Sequence, residues 1–314
     1  MNNNFCLNKN YSTTKLVTKK KPNNVNNSNY KFESFLFFPV KKERIAEGGL
    51  RSKGYFKKSY NDKPLISIIT AVFNGKDYLE ETILSVINQS YHNVEFIIID
   101  GGSTDGTLDI IKKYADEIDY WISEKDNGVF DAWNKGLQLS CGKWIGFLGA
   151  DDFYELNAIQ KYVKNINMLN GVEYISSKSY LITRDKKILR VIGKPWNWKS
   201  FSIYMTVAHV GSLHHRSLFE KYGTYDIKFP VCADYEFLLR AGNKLKSSFI
   251  SDILCNFRVG GHSQGESHWG VAEIFKETYD AKLKHNTRPT TLHAYIDLLW
   301  AKIKWTTRKI MGKQ

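Results

Sequence analysis

The 314-residue chain has little cysteine, and what it has is scattered. Cys6, Cys141, Cys232 and Cys255 form no C-x-x-C pair and no regular spacing, which argues against a disulfide framework or a zinc site and fits a reducing cytosol. No uninterrupted apolar run reaches the roughly 18 residues of a spanning helix. The opening stretch "MNNNFCLNKNYSTTKLVTKKK" lacks the apolar segment of a secretory signal. There is no G-x-G-x-x-G, which disfavours a dinucleotide enzyme. "GGSTDGT" has the look of a phosphate loop, but Gly106 is followed by Thr107 and not by Lys-Ser/Thr, so it is not a Walker-type loop. No internal repeats are visible.

What is abundant is positive charge, and it is unevenly placed. Residues 1–63 carry 14 Lys/Arg against 4 Asp/Glu, and residues 281–314 carry 8 against 1, whereas the intervening body carries 23 against 27. Basicity confined to the two ends argues against a folded nucleic-acid groove. It suits tails near an anionic surface such as the cytoplasmic face of a membrane, or simply solvated tails.

Three regions follow. Residues 1–62 form a basic, Asn/Lys-rich extension, expected to be loose over 1–30; "FESFLFFPV" is an apolar run that adds a strand or docks, and Gly48, Gly49 and Gly54 mark a linker. Residues 63–260 form the folded body. "LISIITAV" and "VEFIIID" are nearly all apolar, as strands covered on both faces should be. Between them Leu79, Thr82, Ile83, Val86 and Ile87 follow helical spacing, which gives a βαβ unit. "TLDIIKKYADEI" predicts a second helix with Ser103, Thr104 and Asp105 as N-cap candidates. "DYWISEKD" and "WIGFLGADD" predict two further strands with a short helix over 131–139 between them. Beyond 152 the pattern is mixed: a helix over 155–169, a hairpin around 184–187, a helix stopped by Gly223, and another beginning near Asp234 and ending at Gly242. Residues 261–314 form a C-terminal helical segment in which Leu292, Tyr295, Ile296, Leu299, Trp300 and Ile303 share one face beside Lys302, Lys304, Arg308 and Lys309. Such a helix either lies in a membrane interface or packs on its own domain.

The chemistry is concentrated at strand ends. In an open α/β sheet, ligands bind outside the carboxyl ends of the strands. Loops there would turn Asp100, Asp126, Asp131, Asp151 and Asp152 into one crevice. Such a crevice repels phosphate unless a divalent cation intervenes, which points to a metal–nucleotide complex. Asp100, followed by Gly101-Gly102, can accept from a ribose hydroxyl or a base N–H, or serve as a turn acid. In "CADYEFLLR", Asp234 and Glu236 point different ways on a helix, and Asp234 is the candidate general base, or an N-cap.

Taken in order, "SIITAVFNG", "IIIDGGSTDGT", "SEKDNGVFDAWNKG", "FLGADD", "SLFEKYGTYD" and "ADYEFLLRAG" closely resemble family 2 glycosyltransferases of the branch that builds bacterial surface polysaccharides. The resemblance implies a GT-A fold, a Rossmann-like α/β architecture with a mostly parallel central sheet, a mixed acceptor-side half and C-terminal helices. It implies that Thr70, Ala71, Phe73, Asn74, Asp100, Gly101 and Ser103 serve the nucleoside. Asp126, Asp131, Asn134, Lys135 and Ala150 would lie along the sugar and diphosphate. Asp151 would hold Mg²⁺ or Mn²⁺, helped by Asp152, with His262 a further candidate ligand; Asp234 would be the base of an inverting transfer. The implied partners are a nucleotide-sugar donor, a UDP-sugar first, and a saccharide or lipid-linked oligosaccharide acceptor, with no nucleic acid. The implied location is cytoplasmic, with possible peripheral contact at the inner membrane leaflet. Gly149 departs from the family, standing where many members have the first Asp of D-x-D. A sugar nucleotidyltransferase and a silent, partner-binding member are the alternatives.

Overall fold

A computed structural model describes residues 4–22, 30–39, 42–260 and 271–287, and positions 292, 296, 299, 303 and 307. In chain order the elements begin with β1 (Asn4–Phe5), β2 (Val17–Thr18) and β3 (Ala46–Gly48). The parallel half runs β4 (Ile66–Val72), α1 (Leu79–Ile87), β5 (Val94–Asp100), α2 (Thr107–Lys113), β6 (Tyr120–Ser123), α3 (Val129–Leu139), β7 (Trp144–Gly149). There follow β8 (Phe153–Tyr154), α4 (Ala158–Met168), β9 (Tyr174–Ile182), β10 (Ile188–Ile192), α5 (Trp198–Phe201), β11 (Ser212–His215) and α6 (Arg216–Tyr222). The last are α7 (Ala233–Ala241), β12 (Ser247–Arg258) and α8 (Val271–Lys284).

One mixed sheet organises the body, in the order β3-β6-β5-β4-β7-β11-β9-β12-β8, with β10 paired to β9. β6, β5, β4 and β7 are parallel. The chain leaves β4 to one side for β5 and returns to its other side for β7. That reversal is a switch point, where a crevice opens at the carboxyl ends of the strands. β11 then runs antiparallel between β7 and β9, and β9 and β12 pair in parallel. The expected α/β architecture, parallel first and mixed after 152, is therefore present.

The near-continuous apolar strands serve two cores. Ile66, Ile68, Phe96 and Ile98 face α1 and α4, while Ile69, Ala71, Ile97 and Ile99 face α3, α6 and α7. Alternation of side chains along a strand produces this division, and burial on both faces explains why the runs are mostly apolar, with Ser67, Thr70 and Glu95 as buried polar exceptions.

The extension is less loose than its composition suggests. Val17 and Leu50 are buried, and Phe32, Phe35 and Phe38 pack against the core on the α3 side. β3 pairs antiparallel with β6 as the sheet's edge. Gly48 and Gly49 are close-approach residues within this docking and do not form a linker. A Cβ on Gly48 would lie 2.8 Å from the Trp121 ring, and one on Gly49, at φ +107, would lie 2.8 Å from the Ile118 and Asp119 carbonyl oxygens. Arg51 anchors the arrangement. It is fully buried, pairs with Glu95, and donates to the Leu36 and Leu139 carbonyls at 3.1 and 2.8 Å. A charge so buried is tolerated only with such partners.

Candidate active site

The carboxyl ends of β4, β5 and β7 open into a cavity of about 1500 Å³ that continues under β10, the 203–210 loop, α7 and α8. Its first wall is a pair of interlaced loops. Asn74, at φ +49, donates its N–H to Ser103 Oγ at 2.8 Å and accepts from Thr104 N at 2.9 Å. Gly75 N donates to Thr107 Oγ1 at 2.9 Å and Lys76 N to Asp105 Oδ2 at 3.1 Å. α2 is capped by Gly106, with Asp105 accepting from Thr107 N at 3.0 Å; Ser103 and Thr104 are used between the loops instead. Ala71, Phe73, Asn74, Gly101 and Ala150 line this part of the cavity, and Phe73 is 63 % exposed.

Several expected donor-side residues lie behind the wall. Asp100 is fully buried, and its carboxylate accepts from Ser103 N at 3.2 Å, from the Ser103 hydroxyl, and from Ser123 Oγ at 2.5 Å. Its direct role in this structure is to set the loop that carries Ser103. Thr70 is also fully buried, inside β4. Asn134 clasps the Tyr225 backbone, donating to its carbonyl and accepting from its N–H at 2.9 Å each. Lys135 pairs with buried Glu124 at 3.0 Å, and Asp131 accepts from Asn127 N at 3.0 Å. Asp126, by contrast, lines the cavity. A Cβ on Gly101 would lie 2.7 Å from Asp126 Oδ2, so glycine is what lets the two loops meet. Burial pushes the Asp126 carboxyl up, with the Asp131 and Asp100 charges adding to the shift and Gly128 N–H and Lys135 opposing it.

Asp151 and Asp152 follow β7 and both line the cavity. Asp152 is 2 % exposed and accepts from Arg258 N at 2.9 Å; burial, then the Asp151 charge, pushes its carboxyl well above the usual carboxylate range. The departure at Gly149 has a local reason. A Cβ there would lie 2.7 Å from Asp152 Oδ2 and 3.1 Å from Asp151 Oδ1, so Asp152 fills the space of the missing side chain. Arg258 also donates to the Asp151 carbonyl at 2.7 Å and to Glu81 at 3.0 Å, which pins the acidic turn from β12. Among the described residues no cluster of three or more His, Cys, Asp or Glu could hold a metal alone. Adjacent carboxylates at a cavity edge do fit a hard cation that takes its remaining ligands from substrate phosphates and water. His262 lies outside the described residues.

Asp234 and Glu236 separate as helical geometry requires. Asp234 lines the cavity, half-buried, with Oδ1 held by Tyr235 N at 2.8 Å. Glu236 is fully buried away from it, paired with Arg240, with Lys284 at the end of α8 at 2.9 Å, and with His285 just beyond it at 2.6 Å. α8 grips the other end of α7 as well. Glu277 Oε2 accepts from Val231 N at 2.9 Å and Cys232 N at 3.1 Å, at the helix start that carries Asp234. An acid placed there satisfies free N–H groups and favours the helix dipole.

A family model, Glycosyl transferase family 2, matches residues 67–215. An uncharacterized glycosyltransferase of Mycobacterium tuberculosis, Rv1514c, is 33 % identical over 214 residues, which are 66 % of this chain and 81 % of that protein. The chain belongs to glycosyltransferase family 2. Another member, a candidate teichuronic acid biosynthesis glycosyltransferase of Bacillus subtilis, TuaG, is 40 % identical over 108 residues, 33 % of this chain and 42 % of that one. Solved structures give the GT-A fold. Residues 1–349 of S. aureus TarS in complex with UDP-GlcNAc align at a TM-score of 0.56 and 16 % identity, covering 69 % of this chain and 65 % of that one. About a third of that neighbour thus lies outside the match. The mannosyltransferase PcManGT of Pyrobaculum calidifontis, in complex with GDP-Man and Mn²⁺, aligns at 0.56 and 16 %, covering 77 % and 71 %.

In this glycosyltransferase the second half of the cavity holds residues that motif reading missed. Trp133, Thr206 and the α8 residues Ile274, Phe275, Thr278, Tyr279 and Lys282 all line it. The α8 set had a signal, since positions 274, 275, 278 and 282 recur at helical spacing.

Proposed function

We propose that this glycosyltransferase moves a sugar, with inversion, from a UDP-sugar to a hydroxyl of a lipid-linked saccharide in cell-surface polysaccharide synthesis. The observation that carries the reading is the convergence of Phe73, Asp126, Asp151 and Asp234 on one cavity. Phe73 offers an exposed face to a nucleobase, and the interlaced loops beside it are set before any ligand arrives. Asp234 takes the proton of the acceptor hydroxyl as that oxygen attacks the anomeric carbon. The bond from that carbon to the diphosphate oxygen breaks, and its electron pair leaves with the diphosphate. A divalent cation, Mg²⁺ or Mn²⁺, bound at Asp151 with Asp152 behind it, would stabilise the charge on that leaving group. Positioning of both substrates supplies much of the remaining rate.

The lipid-linked acceptor is supported at the C-terminus. Leu292, Ile296, Leu299 and Ile303 are helical, share one face, and are 44 to 65 % exposed in a strongly basic segment. No helix among the described residues is long and apolar enough to cross a membrane. An apolar helical face with neighbouring lysines and arginines suits the interface of an anionic leaflet.

The test is release of nucleoside diphosphate by purified protein from a panel of UDP- and GDP-sugars, with Mn²⁺ or EDTA. Release from a UDP-sugar that stops with EDTA and in Asp234→Asn supports the reading. Full activity in Asp234→Asn sinks the base assignment, and release from a GDP-sugar alone sinks the choice of donor. Sedimentation with vesicles of anionic and neutral lipid tests the membrane contact; equal binding to both, or none, removes it.

A further inference from the structure

Three polar groups on the wall of this cavity are buried and have no hydrogen-bond partner: Trp133 Nε1, Thr206 Oγ1 and His209 Nδ1. Each of the three residues is 7 % exposed. Leaving a buried polar atom unpaired is costly, and native proteins rarely do so without a ligand or an ordered water. Two of the residues are in contact, and the third is in the same loop as one of them. The His209 ring stacks on Trp133 with centroids 5.1 Å apart, and Thr206 is three residues before His209 in the same loop. Asp234 is near enough for its charge to act on His209.

The donor and acceptor inventory narrows the ligand. An indole N–H only donates, and a threonine hydroxyl does either. Burial holds His209 below its usual range, against the opposing pull of Asp234, so the ring is neutral at physiological pH. Its Nε2 is engaged with Tyr225 Oη at 2.9 Å. Depending on which of that pair donates, Nδ1 is left as a donor or as an acceptor. A phosphate or carboxylate, which only accepts, fits only the tautomer in which Nδ1 donates. A hydroxyl serves all three groups in either tautomer.

We propose that Trp133 Nε1, Thr206 Oγ1 and His209 Nδ1 form a hydroxyl-reading subsite for a pyranose ring beside Asp234. The subsite rests on the glycosyltransferase reading above and deepens it, because it names groups that select the sugar. The ring is either the one transferred or the one that accepts, and the two sources are separable.

Thr206→Val is the informative substitution, since it keeps the shape and deletes only the hydroxyl, and Trp133→Phe is its companion. The full chain with Mn²⁺ is titrated with UDP, GDP, and their glucose, galactose, N-acetylglucosamine and mannose conjugates. It is then titrated with methyl glycosides of the same sugars in saturating nucleoside diphosphate. In the free protein, Thr206→Val should melt no lower than wild type, because the hydroxyl it loses has no partner. A roughly ten-fold loss in the affinity that the sugar adds to its nucleotide assigns the subsite to the donor. The same loss confined to the methyl glycosides assigns it to the acceptor. A lower melting temperature in Thr206→Val, or unchanged affinity in both titrations for both variants, overturns the subsite and leaves ordered water as the partner. Failure of any nucleoside diphosphate to bind wild type overturns the glycosyltransferase reading itself, and the subsite with it.

Discussion

The two walls of the cavity are finished to different degrees. On the donor side most polar groups that shape the wall have a protein partner, Thr70 Oγ1 excepted. Asp100 is taken by Ser103 and Ser123, Asn74 by Ser103 and Thr104, and Asn134 by Tyr225. Across from it, Thr206 and His209 keep unpaired atoms, and Val191 and Tyr204 are 49 and 45 % exposed. The difference teaches where specificity resides. A wall closed on itself offers any nucleotide the same surface, whereas a wall with open valences is completed by one ligand better than by others. Preorganisation lowers the ordering cost of binding on the first side. Unpaired groups punish the wrong ligand on the second.

The strongest test of this contrast separates the walls kinetically. Asp234→Asn should lower turnover about 1000-fold, within the usual span for a general base, while the affinity for nucleoside diphosphate measured by calorimetry stays put. A parallel loss of nucleotide affinity would mean that the walls are not independent. Next comes the scaffold of the finished side. Arg51→Ala leaves Glu95 buried without its partner and should cost about 3–5 kcal/mol in urea unfolding. A loss below about 1 kcal/mol would show that water reaches the pair.

The α7–α8 contact can be tested by acid. Burial would raise the Glu236 carboxyl, but hydrogen bonds from His285, Arg240 and Lys284 and the Arg240 charge hold it down at about 2, against an ordinary 4.5. A depressed carboxyl stabilises the fold above its unfolded value, and the contribution fades as pH falls from 4.5 towards 2. Across that window wild type should lose up to about 3 kcal/mol that Glu236→Gln, already weaker at pH 7, does not lose. Parallel stability curves for the two proteins would refute the linkage. The smallest effect concerns Glu277, which acts through the start of α7. Glu277→Ala should reduce turnover about ten-fold with the donor KM unchanged, and Glu277→Gln, which keeps an acceptor oxygen, should recover most of it. Equal loss in both variants, tracking the folded fraction, would reduce Glu277 to a stability contact.

The legible parts of the chain share a physical cause. Strands buried on both faces are mostly apolar, so β4, β5 and β7 and the acidic turns after them stand out, and with them the crevice. That only one of Asp234 and Glu236 faces the crevice follows from helical geometry. Glycine was ambiguous, because Gly48 and Gly49 read as a linker and serve instead a close backbone approach against Trp121 and Asp119. Asp100, Asn134 and Lys135 sit at the right ends of the right elements, yet nothing in the motifs reveals that their side chains are spent on other protein groups. Nothing in the sequence shows that Thr206 Oγ1 and His209 Nδ1 are left unpaired; only tertiary packing shows which polar groups are left over.

The edge strand β3 has a consequence for how the protein is made. Its three residues are synthesised well before Trp121–Ser123, against which they lie, so the first edge to be translated is among the last to be placed. Until then β6 offers an open row of N–H and C=O groups to any extended chain nearby, which is a route to aggregation. A chain begun at residue 63 would keep that edge bare permanently and would strand Glu95 without Arg51. Such a shortened protein should form soluble aggregates on size exclusion at concentrations where the full chain elutes as a single species, and adding back a peptide of residues 42–62 should reduce them.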